Sequence, residues 1–154
     1  MEKEKYRKAV FILAYAKTNS SKRGLVKGIE YLLLKRKLHW KGWEFPKGKI
    51  EPGERKEQTA RRELREETGH RAIKIKKFNF SGRYLYHKKL PDRPGFKGQT
   101  FSLYAGQVKK GKVSLDKKEH NGHKWTDFSV ALKMLKFPNQ KKSLKIVNNW
   151  LTGK

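Results

Sequence analysis

Three glutamates, Glu63, Glu66 and Glu67, stand at i, i+3 and i+4 in a stretch without Gly or Pro, so on a helix they project from roughly one face. Like charges at that spacing cost about 0.2–0.5 kcal/mol per pair when nothing neutralises them. The crowding is wider still. Glu44, Glu51, Glu54, Glu57, Glu63, Glu66 and Glu67 make up half of the fourteen acidic residues of a chain that carries forty Lys and Arg. A hard divalent cation neutralises such a cluster, and Mg²⁺ is commonly held by carboxylates together with substrate phosphates. Arg62, four residues before Glu66, is placed to orient it. The plainer alternative is an exposed helix of mixed charge, since Arg61, Arg62 and Arg65 are interleaved.

The longer pattern decides between these readings. Gly48, five residues, Glu54, seven residues, then Arg62-Glu63-Leu64-Arg65-Glu66-Glu67-Thr68-Gly69 resembles the Nudix box at every fixed position. His70 stands where the family expects a bulky aliphatic residue, a departure that touches packing at the helix end and not the carboxylates. The resemblance implies an α/β fold, the Nudix-type α/β/α sandwich with a mixed β-sheet. It implies a pyrophosphohydrolase that uses Mg²⁺, or Mn²⁺ in its place, bound by Glu63, Glu66 and Glu67 with the carbonyl of Gly48. In that family the residue at Glu54 supports the loop. The metal polarises phosphate and acidifies water; which carboxylate takes the proton stays open.

Residues outside the box bear on the substrate. Trp43 to Glu54, with Lys47 and Lys49 about Gly48, is similar to a segment shared by diadenosine tetraphosphate hydrolases and RNA 5′ pyrophosphohydrolases. There Lys47 would lie beside the polyphosphate. Glu119-His120, then Trp125, Ala131-Leu132 and Phe137, resembles the C-terminal part of the diadenosine tetraphosphate hydrolases, which makes Glu119 the candidate fourth carboxylate at the metal. Tyr84, Tyr86 and Phe137 are candidates to stack a base, against the simpler expectation that such rings are packed. Trp125 is expected in the core. Asymmetric cleavage of dinucleoside tetraphosphates is the favoured reading. The alternatives are removal of pyrophosphate or a cap from RNA 5′ ends, and a non-catalytic Nudix-like domain that binds RNA or nucleotide. Intact glutamates argue against the last.

These side chains need elements to hold them. Val10 to Tyr15 reads as a buried strand and Ile29 to Leu34 as its hairpin partner across a polar loop at 17–28. Trp40 to Gly53 is broken by Gly and Pro and excludes a long element. Helix formers run from Glu54 to Thr68, with Gly69 placed to end the helix. Ala72 to Tyr86 reads as a long strand or bent pair, Thr100 to Val108 and His123 to Phe128 as strands. Ser129 is the expected N-cap of a helix to Leu135. A last helix follows Pro138 with Leu144, Val147 and Leu151 on one face.

The 154 residues fit a single domain, 1–154. At 35% the apolar content is low, but four Trp, six Tyr and eight Phe supply core. No apolar run is long enough to span a bilayer; with no signal-peptide layout at the N-terminus, a cytoplasmic protein without membrane contact is expected. Cysteine is absent, so disulfides and thiolate sites are excluded. A net charge of +26 fits either a lysine-rich solvated surface or a polyanionic partner such as RNA. The oligomeric state is not legible.

Overall fold

Every residue from Val10 to Tyr15 is apolar, the composition of a strand covered on both faces. In the computed structural model, which describes residues 5–18 and 28–153, Ala9 to Ala16 are all buried at the centre of a mixed sheet. Along the chain the described residues form β1 (Lys5–Thr18), β2 (Gly28–Arg36), β3 (Gly42–Glu44), β4 (Lys47–Lys49), α1 (Lys56–Thr68), β5 (Lys74–Leu85), β6 (Phe96–Gln107), β7 (His120–Thr126), α2 (Phe128–Met134) and α3 (Pro138–Thr152). The expected 17–28 loop lies, from 19 to 27, outside the described residues.

β1 runs parallel to β6, and β6 antiparallel to the edge strand β5. On its other side β1 pairs with β2 only through Tyr15–Thr18. The two strands then part. β4 lies beside β1 at Ala9–Phe11, while β3 lies beside β2 at Leu34–Arg36. β7 follows the far edge of β2 from Tyr31 to Arg36. The short, Gly- and Pro-broken segment 42–49 thus fills the gap where the central strands separate, and a regular element would not fit there.

Alternation along the strands sends side chains to two layers. Val10, Ile12, Ala14, Leu32 and Leu34 pack with Ala60 and Leu64 of α1. Phe11, Leu13, Tyr15, Tyr31 and Leu33 pack with Ala131, Leu135, Leu144 and Val147 on the side of α2 and α3. The result is the expected α/β/α sandwich. Trp125 packs partly buried on the α1 side. The stretch from Ala72 to Tyr86 is one strand with a register shift between Lys77 and Ser81. No helix among the described residues is long and apolar enough to cross a membrane.

Two helix starts differ from expectation. α1 begins at Lys56, not Glu54, with the Arg55 N–H donating to Gln58 Oε1 at 2.8 Å. α2 is capped by Asp127, whose carboxylate accepts from the Val130 N–H at 2.9 Å. Ser129 lies inside the helix: Asp127 offers a charged acceptor two residues earlier, and the helix starts where that acceptor closes its first turn. The end of α1 is as expected, with Gly69 at φ 80° donating to Arg65 O at 2.8 Å. Gly69→Ala puts a Cβ into a left-handed position 3.1 Å from the Ser114 Cβ. It is expected to lower unfolding free energy by about 1–2 kcal/mol in urea titration.

Candidate active site

On α1, Ala60, Leu64 and Glu67 share the face that packs on the sheet, so Glu67 is carried inward with the core residues and is 3% exposed. Its Oε2 accepts from the Lys47 N–H at 3.1 Å. Glu63, one turn earlier, lies against Gly48, where any Cβ would collide with its carboxyl carbon. The missing side chain at 48 therefore leaves the space that the Glu63 carboxyl occupies, and a larger residue there would displace it. Glu66 points outward, with 58% of its side chain exposed. The three glutamates do not share one environment: Glu67 is inside, Glu63 at the boundary and Glu66 in solvent.

Arg62 organises this end of the helix. Nε and Nη2 bind both oxygens of Glu54 at 2.7 and 2.9 Å, Nη1 donates to Glu63 at 2.7 Å and to Glu66 at 3.1 Å, and Nη2 donates to Lys49 O at 3.0 Å. Orientation of Glu66 by Arg62 is thus present, but the bidentate pair is with Glu54. Hydrogen bonds from Arg62, working against desolvation and joined by Thr59, hold the Glu54 carboxyl down at about 2. Its other partners, the Glu51 N–H and the Thr59 hydroxyl, tie the loop to the helix, the supporting part expected of it.

A second set of charges lies deeper. Glu44 is buried, with Arg36 Nη1 at 3.2 Å and His120 Nε2 at 2.7 Å on one oxygen and Lys47 Nζ at 3.2 Å from the other. Burial pushes its carboxyl up, but Lys47, His120 and Arg36 outweigh that and bring it to about 2. The same pairing keeps Lys47 charged: burial works against the ammonium and Glu44 overcomes it. Glu119, just before β7, lies 3.6 Å from Arg36. Its carboxylate, that of Glu67 and the His120 ring have atoms all within 4.8 Å of one another. Of the candidate ligands, then, Glu67 and Glu119 come together, Glu63 flanks them beside Gly48, and Glu66 stands off on Arg62.

Two of these acids are compensated only in part. Burial, then the charges of Glu44, Glu119 and Glu63, raise Glu67 well above the usual carboxylate range. Burial pushes Glu63 up to about 7 despite Arg62.

Beside the carboxylates opens a cavity of about 330 Å³ lined by Trp40, Lys47, Tyr84, Tyr86 and Phe137 with Phe11 at its floor. Trp40 and Phe137 meet edge to face at 5.1 Å, as do Tyr84 and Tyr86 at 6.2 Å. Lys47 stands at the seam, its Nζ 5.9 Å from the Trp40 and Tyr84 ring centres and 3.5 Å from the Tyr84 hydroxyl. Gln99 Nε2 fixes that hydroxyl at 2.9 Å, and Arg93 donates to the Tyr86 hydroxyl at 3.0 Å. Lys49 does not join this cavity. It lines a different one with Arg7, Arg93 and Glu119. Two residues apart on β4, the lysines stand about 7 Å from one another along the strand, Lys47 opposite Phe11 of β1 and Lys49 opposite Ala9.

Sequence reasoning gave no role in the site to Trp40, Arg36, Glu44, His120 or Gln99. Glu44 and His120 lie in segments that the sequence marks out, but their partnership spans 76 positions and no local spacing announces it. Trp40 carries no signal beyond its own bulk.

The NUDIX domain model matches residues 5–147. Over 121 residues the chain is 31% identical to the asymmetrical bis(5′-nucleosyl)-tetraphosphatase of Mus musculus, spanning 76% of this chain and 77% of that protein. A C. elegans Ap4A hydrolase binary complex aligns with a TM-score of 0.72 at 25% identity, covering 96% of this chain and 99% of that one. The NUDIX domain of Shewanella oneidensis NrtR complexed with ADP ribose aligns at a TM-score of 0.72 and 16% identity, over 95% of this chain and 88% of that one, a likeness of fold alone. The chain belongs to the Nudix family and is a Nudix pyrophosphohydrolase.

The raised carboxyls make a stability prediction with a definite sign. Protonation of Glu63 and Glu67 favours the fold without metal; that contribution is complete below their ordinary value of 4.5 and lost as pH rises through about 7 for Glu63. In chelator, the melting temperature is expected to fall between about pH 5 and pH 8, and to fall less in Glu67→Gln. An unchanged slope in that variant would contradict the burial argument. Glu44 and Glu54 act oppositely and lower, their contribution present above 4.5 and lost as pH falls towards 2.

Proposed function

We propose that this hydrolase cleaves dinucleoside tetraphosphates asymmetrically, yielding ATP and AMP from diadenosine tetraphosphate. The observation that carries the reading is Lys47, whose backbone N–H holds Glu67 while its ammonium lies against the rings of the cavity. A nucleoside seated among Trp40, Tyr84 and Phe137 would pass its first phosphates over Lys47 and onto the carboxylates. The cavity, about 330 Å³, is at the small end for ligand sites and suits one nucleoside. The second nucleotide is left outside, which fits a cut nearer one end.

Glu67 is the reason for placing a divalent cation here. No described side-chain cation pairs with it, three other carboxylates raise it, and the donors are oxygen, the preference of Mg²⁺ and, next to it, Mn²⁺. Glu63, Glu67 and Glu119, with Glu66 and the Gly48 carbonyl completing the set, would hold it. Bound there, the metal supplies positive charge that offsets phosphate and acidifies water. The protein's own groups do the rest. Lys47 orients the polyphosphate, Arg62 fixes Glu63 and Glu66, and the ring pairs exclude water from the base. Glu119, partly exposed at the edge of the cluster, is the carboxylate that would take a proton from water in this reading.

Removal of pyrophosphate from RNA 5′ ends is the second reading, favoured by Arg7, Lys49 and Arg93, which line a second cavity together with Glu119. Product chromatography after incubation with Mg²⁺ separates the two. ATP plus AMP from diadenosine tetraphosphate at micromolar concentration supports the first; pyrophosphate from triphosphorylated RNA, with the dinucleotide untouched, replaces it by the second. Glu67→Gln is expected to fold and to lose turnover by on the order of 10³-fold. Phe137→Ala is expected to raise KM roughly tenfold with kcat nearly unchanged, as for removal of a base-stacking ring that serves equally before and during reaction.

A further inference from the structure

The site described uses few of the chain's cations, and one group of those left over lies where three neighbouring elements offer no carboxylate. β5, β6 and α3 contain no Asp or Glu. β5 alone carries Lys74, Lys76, Lys77 and Arg83, and α3 adds Lys141, Lys142 and Lys145. Among the described residues, no carboxylate pairs with Lys74, Lys76 or Lys142. Their ammonium groups sit over aromatic rings instead: Lys74 and Lys76 over Trp150 at 5.6 and 5.8 Å, and Lys142 over Phe80 at 5.1 Å. Phe78 meets Trp150 edge to face at 5.4 Å. Phe78, Phe80 and Trp150 are all half-buried and so keep part of each ring at the surface.

These groups form one track. The edge strand β5 presents Lys74, Lys76, Phe78 and Phe80 towards α3, then Gly82, where the Phe101 ring fills the place of a side chain with Asn139 just beyond it, and then Tyr84. Tyr84 and Asn139 both line the aromatic cavity. From Lys74 to Tyr84 the strand covers about 30 Å. A lysine-rimmed row of rings of that length, ending at a nucleotide-sized cavity, matches the two needs of an unpaired nucleic acid: cations for its phosphates and flat surfaces for its bases. Two lysines crowded on one indole repel each other, and a polyanion relieves that repulsion. A dinucleotide seated in the cavity has no use for cations so far along the strand.

We propose that the β5–α3 face is a binding track for single-stranded RNA, the nucleic acid that routinely offers unpaired bases. The track leads to the cavity and is independent of which polyphosphate is cleaved there. The probe is a twelve-nucleotide oligouridylate with a 3′ fluorophore, followed by anisotropy from low to moderate salt. Wild type is expected to bind with a steep salt dependence and quenched Trp emission. Reversing two charges on the track, Lys76→Glu with Lys142→Glu, should weaken binding at least tenfold. It should also flatten the slope of log affinity against log salt by about 1.4, since each phosphate no longer neutralised accounts for about 0.7. Reversing two on the opposite layer, Arg61→Glu with Arg71→Glu, should change affinity less than threefold. Trp150→Phe should remove most of the quenching while the fold, followed by circular dichroism, is kept. Equal weakening in both double variants would reduce the effect to overall charge and overturn the track, as would tighter binding to duplex DNA of equal length or no binding at low salt. Dinucleotide hydrolysis should be unaltered by Lys76→Glu with Lys142→Glu, which keeps the track distinct from the active site.

Discussion

Several carboxylates meet at one end of this sheet, most of them out of water, and what surrounds them is arranged by how each charge is met. Burying an unpaired carboxylate is costly, so such groups are paired, protonated or bound to a cation. Glu54 and Glu44 are met by hydrogen-bonding and cationic partners: Arg62 grips the first, and Arg36 and Lys47, with the His120 ring, enclose the second. Both stay ionised and serve as fixed anchors. Glu67 and Glu63 are met incompletely and are pushed up. The same crowding thus yields two kinds of acid, one that holds the structure and one with capacity left for chemistry.

The backbone makes the crowding possible. Because β1 and β2 part after a short pairing, segment 42–49 can lie between them and bring Glu44, Lys47 and Gly48 against α1 and β7. Pro46 O accepts from the Ile12 N–H at 2.8 Å, and the Ile50 N–H donates to Lys8 O at 3.0 Å, so the segment is tied to β1 at both ends. Gly48 leaves room for the Glu63 carboxyl, and Arg62 reaches across to the Lys49 carbonyl to tie the segment to the helix. The aromatic cavity opens on the other side of Lys47, built from a loop residue, the edge strand and the start of α3. The anionic and the aromatic parts of the site therefore share one residue as their wall.

The charge of the chain has a related distribution. Among the described elements only β2, β3 and α1 carry Asp or Glu, and β5, β6 and α3 are among those with none. The β5–α3 side is thus a cationic, ring-bearing layer next to a cavity that shares Lys47 with the acidic cluster.

Much of this was legible in the residues alone, where the signal was local. The α1 register, its end at Gly69, the buried strand at Val10–Tyr15 and the glutamate spacing follow from helix and strand periodicity and from a backbone that only glycine tolerates. The family pattern is likewise one continuous segment. What the tertiary structure decided was everything that depends on distance across the chain. Local sequence put Glu63, Glu66 and Glu67 on one face, but only packing made Glu67 buried and left Glu66 in solvent, since the sheet covers part of a helix face and not all of it. It put Lys47 and Lys49 on one short strand, and the elements packed at either end of that strand gave each its own cavity. His120 found Glu44, and Trp40 found Phe137, through approaches that the folded sheet creates and no spacing along the chain encodes.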